Sequence, residues 1–309
     1  MKAALTALLG LALLSGPQTA WAEEGQPLSG TLRTIQDRGT ILIGYRDSAP
    51  PFSFLNKAGQ PIGFSQDLCH GIAADVATVL GRDLLEPDAP AWQKGVRIVL
   101  VPVKPDERLA KVTSGAIDLE CGSTTANAER MKSVAFSPVF FLAGTKLMVR
   151  EGSGIKSYRD LAGRSVAVST GTTNAEALHR LAGRVTPPIT IVETSDLNAA
   201  FDRLASGQVD AFASDDILLS GMLATRTDGN RYRIVGDYLS YEPYAIMSRK
   251  DDPDFNDLIR TSFERMAAEG ILTRLYNRWF LDRLPNGETL GLEMSPQLAE
   301  MYRALGQQD

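Results

Sequence analysis

The sequence predicts an α/β protein built from two similar lobes. Three observations carry that expectation. Strand-like and helix-like segments alternate along the chain, which is the pattern of a parallel sheet with crossover helices. A stretch at 109–118 is echoed at 201–210, where each copy reads as a helix end, a Ser-Gly stop (Ser114-Gly115, Ser206-Gly207) and a strand opening at Ile117-Asp118 or Val209-Asp210. The 309 residues also exceed the roughly 100–150 of an ordinary single domain.

Residues 1–22 read as a cleavable secretion signal. Met1-Lys2 supplies a charge, residues 3–14 are apolar, and Ala20-Trp21-Ala22 has the small-x-small form of a cleavage site. An apolar run of about 12 residues is too short to span a hydrocarbon core of about 30 Å. No cysteine lies near the cleavage point to carry a lipid, so a soluble mature chain starting near Glu23 and lying in the periplasm is expected. A polar leader (23–30) precedes a short β-branched run at 40–45 that reads as a buried strand. Residues 67–80 have apolar positions at helical spacing, with Asp67 as a candidate N-cap and Gly81 as a stop. A strand at 96–103 and a short helix at 108–113 follow. Two extended runs, 137–149 and 238–248, are placed as a pair of crossings between lobes would be. Residues 255–280 form an apolar helical stripe, and 295–305 read as a terminal helix.

Composition narrows the function. With Lys2 removed, the formal charge of −5 becomes −6, and no basic run suits nucleic acid or anionic lipid. His70 and His179 are the only histidines and are not spaced as metal ligands, so neither metal nor cofactor is expected. Cys69 and Cys121 form one disulfide or remain two buried thiols, and the residues themselves leave both open. Phosphate loops, nucleophile elbows and a histidine placed to activate Cys121 are all missing from the pattern.

Two hydroxyl-rich loops stand out instead, 122–130 and 169–177, each read as the start of a helix. Glycine permits close approach, and free N–H groups at a helix N-terminus suit a carboxylate. Arg130 is placed to grip a carboxylate with two hydrogen bonds. Arg46 and Arg108, also near strand ends, hint at a ligand carrying a second carboxylate. Asp215 and Asp216 offer charge for an ammonium, or a cap for the helix after them.

These residues resemble the polar amino-acid class of periplasmic solute-binding proteins that serve ABC importers. The resemblance spans about 31–280 and rests on G-F-S-Q-D-L-C at 63–69, D-L-E-C-G-S-T-T at 118–125, E-R at 129–130, F-S-P at 136–138 and S-T-G-T-T at 169–173. It is nearest to the glutamate/aspartate-binding branch. It implies the bilobal type II periplasmic-binding-protein fold, two α/β lobes joined by two crossing strands that close on a ligand. Lobe 1 would comprise 30–139 and 244–285, lobe 2 would comprise 140–243, and 286–309 would form a helical tail. Arg130 would grip the α-carboxylate, assisted by Ser123 and Thr125. Ser169 and Thr172 would be second-lobe ligands, and Asp215 would take the ammonium, with Asp216 its rival. Arg46 and Arg108 would face the side-chain carboxylate. A Cys69–Cys121 bridge would lie within lobe 1.

Two positions depart from the acidic branch: Pro105 replaces a serine and Leu197 a histidine, each removing a polar contact. Glutamine or asparagine therefore remains an alternative ligand. The implied partners are a small amino acid and a membrane permease, with the protein a monomer. A dehydratase-like enzyme of the same fold would need an acid/base carboxylate in the cleft, for which Glu120 is the obvious spare.

Overall fold

The computed structural model describes residues 27–285 and 288–308. The expected secretion signal, 1–22, lies outside the described residues. Among the described residues no helix is long and apolar enough to cross a membrane.

Two six-stranded sheets organise the chain. In the first, Thr40–Tyr45 lies between Val96–Pro102 and Leu119–Glu120, parallel to both. Met247–Arg249 then joins antiparallel, followed by Val134–Phe136. The second repeats this plan: Ser165–Ser169 lies between Thr190–Thr194 and Ala211–Asp215, parallel to both, and Phe141–Arg150 joins antiparallel. The echoed sequences enter corresponding strands. Gly115 and Gly207 both end a helix at positive φ, +76° and +77°, where a side chain would be strained. Asp118 then accepts from the Leu42 N–H at 2.8 Å, and Asp210 accepts from the Ser165 N–H at 2.9 Å. In each sheet this aspartate pins the incoming strand to the central one.

Phe141–Arg150 and Tyr241–Tyr244 pair antiparallel and form the two crossings. Beneath them Phe52, Phe64, Phe140, Phe141, Tyr244 and Phe280 pack with ring centroids about 5–6.5 Å apart. The terminal helix Pro296–Ala304 seals this cluster, with Tyr302 buried and its hydroxyl on the Phe140 carbonyl at 2.9 Å.

Several local expectations are corrected. A helix not read from the sequence, Gly30–Arg38, stands between the leader and the first strand. The helix expected at 67–80 spans Phe64–Val79, so Asp67 lies in its first turn and Gly63 precedes it. A Cβ on Gly63 would meet the Phe52 carbonyl oxygen at 2.2 Å, which makes glycine obligatory there. The single stripe of 255–280 breaks at Gly270 into Pro253–Ala268 and Ile271–Tyr276. No α-helix follows the loop at 122–130, only a single 3-10 turn, Arg130–Lys132. Cys69 and Cys121 are joined by a disulfide (Cα–Cα 6.3 Å), tying the helix Phe64–Val79 to the end of Leu119–Glu120.

Candidate functional site

The candidate ligand residues collect at the carboxyl ends of parallel strands, the usual ligand position in open α/β sheets. Arg46 follows Thr40–Tyr45, Ser123 and Thr125 follow Leu119–Glu120, and Arg108 opens the helix Arg108–Thr113 after Val96–Pro102. From the other sheet, Ser169 ends Ser165–Ser169, Thr172 comes just after it, and Asp215 ends Ala211–Asp215. These seven side chains line one small cavity between the sheets, of about 20 Å³. A roomier groove runs between the 48–62 sheet and the second lobe, lined by Phe54, Lys57, Met222 and Arg226 among others, but none of the site's buried charges opens into it.

Arg130 is buried beside the cavity without lining it. Its Nη1 donates to the Thr125 carbonyl at 2.9 Å and its Nη2 to the Gly171 carbonyl at 3.4 Å. Asp216 points elsewhere, accepting from the Gly144 N–H and the Tyr238 hydroxyl. Leu197 lines the cavity and Pro105 does not. Thr173, Asn174, Ser214 and Leu218 also line it and were not singled out from the sequence. Thr173 and Asn174 sit in the quoted loop, so their signal was present. Ser214 directly precedes Asp215 at the end of the repeated strand, so its signal was present too, whereas Leu218 carried none.

The charges are separated into two poles. At the positive pole Arg46 is only 4 % exposed, and among the described residues its guanidinium makes no hydrogen bond or salt bridge, though Glu120, Asp47 and Asp196 attract it from farther off. Arg108 donates from Nη1 to Thr124 Oγ1 at 2.7 Å and from Nη2 to the Gly171 carbonyl at 3.3 Å, while its buried Nε has no partner. Burial, then the neighbouring Arg108 charge, lowers the Arg46 pKa to about 10. Burial lowers that of Arg108 as well. Both stay cationic at neutral pH but are held in a field that an anion would relieve.

At the negative pole Asp215 accepts from Asn174 Nδ2 at 2.6 Å and from the Tyr244 hydroxyl. Burial, then the nearby Glu242 charge, pushes its carboxyl up to about 7. No cation pairs with it among the described residues. Ser169 Oγ is buried with no partner among the described residues. Thr172 Oγ1 accepts from the Ala175 N–H at 3.1 Å, capping the helix Thr173–Ala182. Glu120 is buried behind the cavity, where Thr124 links it to Arg108: Thr124 Oγ1 accepts from the arginine and donates to Glu120 Oε2 at 2.6 Å.

The two lobes are shut on one another. Gly171 of the second lobe receives both Arg108 and Arg130, and a Cβ there would lie 2.7 Å from Asp106 Cα. Among the described residues no group of three or more His, Cys, Asp or Glu is placed to hold a metal ion.

Comparison with known proteins agrees with this arrangement. The pattern of bacterial extracellular solute-binding proteins, family 3, matches residues 41–282. The glutamate/aspartate import solute-binding protein of Salmonella typhimurium is 34% identical over 301 residues, 97% of this chain and 95% of the relative. The L-glutamate/L-aspartate-binding protein of Pseudomonas aeruginosa is 34% identical over 299 residues, 96% of this chain and 94% of the relative. The solved structure of an ancestral arginine-binding protein bound to arginine is similar with a TM-score of 0.68 and 30% identity, covering 79% of this chain and 99% of that one. Two pseudo-repeated lobes, a closed interlobe cavity with unpaired charge at both poles, and a match over residues 41–282 lead to one conclusion: the chain belongs to the bacterial extracellular solute-binding proteins of family 3.

Proposed function

We propose that this protein, exported to the periplasm through the signal at 1–22, captures glutamate or aspartate as a monomer and presents it to an ABC permease. One observation carries the acidic reading: among the described residues the buried Arg46 guanidinium makes no hydrogen bond or salt bridge, beside an Arg108 whose Nε is also unpartnered. A buried unpaired cation costs several kcal/mol, and a ligand carboxylate removes that cost. In this reading Arg46 and Arg108 hold the side-chain carboxylate, Ser123 the α-carboxylate together with an Arg130 that turns to it from the Thr125 and Gly171 carbonyls, and Asp215 the α-ammonium. Ser169 and Thr172 contribute from the second lobe once it closes. Thr125 spends its proton on Glu242, so its oxygen suits the ammonium better than the carboxylate.

An arginine ligand, as in the ancestral relative, would bring its cation against Arg46. Glutamine or asparagine is the second reading, favoured by Leu197, an apolar side chain in the cavity wall. An amide would leave the Arg46 charge uncompensated, so it ranks below the acids. Glu120 does not line the cavity, which supports capture without chemistry.

The test is a thermal-shift screen of ligand-stripped protein against the twenty amino acids. Ligand at 100 times its Kd stabilises by about 2.7 kcal/mol. A shift confined to glutamate and aspartate, lost in Arg46→Ala, supports the proposal. A larger shift with glutamine overturns the acidic assignment.

A further inference from the structure

Glu242 lies on the crossing strand Tyr241–Tyr244, is 1 % exposed and does not line the cavity. Among the described residues its carboxylate accepts only from hydroxyls. Its Oε2 accepts from Thr125 Oγ1 at 2.6 Å and from Thr173 Oγ1 at 2.5 Å. Its Oε1 takes Ser240 and, at 3.5 Å, Thr145. Thr125 comes from the loop after the first sheet and Thr173 from the helix after the second, and both line the cavity, their oxygens 3.3 Å apart. A hydroxyl has one proton, and each threonine gives its own to Glu242 Oε2. Both threonines therefore donate away from the cavity, to Glu242, and turn only lone pairs toward it.

We infer that Glu242 is a positioning residue that fixes the polarity of two cavity hydroxyls. It makes that side of the cavity a pure acceptor surface, which selects a ligand bearing an N–H donor and rejects the same acid without its amine. Asp215 supplies charge to the same pole, while the two threonines supply directed acceptors that a carboxylate oxygen cannot use. The inference rests on the acidic amino-acid reading for its choice of probe.

Calorimetric titration of the purified full chain with glutamate and with glutarate, which is glutamate lacking its amine, tests it. Glu242→Gln keeps the shape but brings an amide NH₂ that must itself donate, so a threonine proton is turned back toward the cavity. The preference for glutamate over glutarate should then fall about 10- to 100-fold, mostly through weaker glutamate binding. A merely structural Glu242 would weaken both acids alike, and an unchanged ratio overturns the inference. Should Glu242→Gln fail to fold, Thr125→Val removes one acceptor with Glu242 intact. An unchanged ratio there is equally fatal. If wild type binds neither probe but binds another amino acid, the acidic proposal fails, and the ratio is read with that amino acid and its des-amino counterpart. Binding of no amino acid overturns both.

Discussion

The loops at 122–130 and 169–177 contain nearly the same residues: glycine, hydroxyls, then Asn-Ala-Glu. They fold differently. In the second, Thr172 caps the helix Thr173–Ala182. In the first, the backbone joins the hinge: Thr125 bridges Tyr244, Ala126 N–H donates to the Pro243 carbonyl, and Ala245 N–H donates to the Thr124 carbonyl. Only one 3-10 turn follows, and its Arg130 N–H is received by Asn127 Oδ1 at 2.9 Å. Because Asn127 serves that turn, the first loop's hydroxyls are released for other work. Thr124 links Arg108 to Glu120, and Thr125 reaches Glu242. One loop offers a helix terminus, while the other organises charge.

Four changes would break or sharpen that contrast. Arg130 ties the first loop to itself and to Gly171 of the second, so Arg130→Ala should weaken every amino-acid ligand by about 100-fold or more. Calorimetry that finds tight binding retained would remove Arg130 from the carboxylate grip. Gly171→Ala introduces a Cβ at φ +72°, 2.7 Å from Asp106 Cα, and should block full closure. Affinity should fall by about 10- to 100-fold, and small-angle scattering should lose the compaction that ligand normally brings.

A smaller effect comes from pH. An ammonium needs Asp215 ionised, and burial with the Glu242 charge holds its carboxyl at about 7. Below that, binding must expel a proton, so affinity should drop about tenfold between pH 8 and pH 6. The empty protein should respond in the opposite sense. The folded state holds this proton more tightly than the unfolded chain, so the Asp215 contribution to stability rises as pH falls from about 7 toward about 4. A flat affinity profile would show that Asp215 does not face the ammonium. The smallest effect distinguishes the loops directly. Thr172→Ala removes a cap and should cost the ligand-free protein about 1 kcal/mol, or about 2–4 °C in Tm. Ser123 caps nothing, so Ser123→Ala should stay within about 0.5 kcal/mol. Equal losses would erase the distinction.

Much of this was legible locally. The strand Thr40–Tyr45 and the helix Arg108–Thr113 were read at their observed bounds, because a short β-branched run and a Ser-Gly stop carry their own signals. The N-cap assigned to Asp67 failed because close packing of Gly63 on Phe52 starts that helix earlier. The helix expected after residue 122 failed because its backbone bonds went to the hinge strand, which nothing in that loop announces.

The sequence by itself determined the alternation of strands and helices, the repeated Asp118 and Asp210 anchors, and the placing of arginines and hydroxyls at strand ends. Those follow from short-range periodicity and turn chemistry. Only the tertiary structure decided that Cys69 meets Cys121, that Arg46 is buried with no hydrogen bond or salt bridge among the described residues, and that Glu242 turns the Thr125 proton away from the cavity. Glu242 and Thr125 are 117 residues apart, and whether a polar group is paired or stranded depends on which distant segments share its burial, a property no local pattern contains.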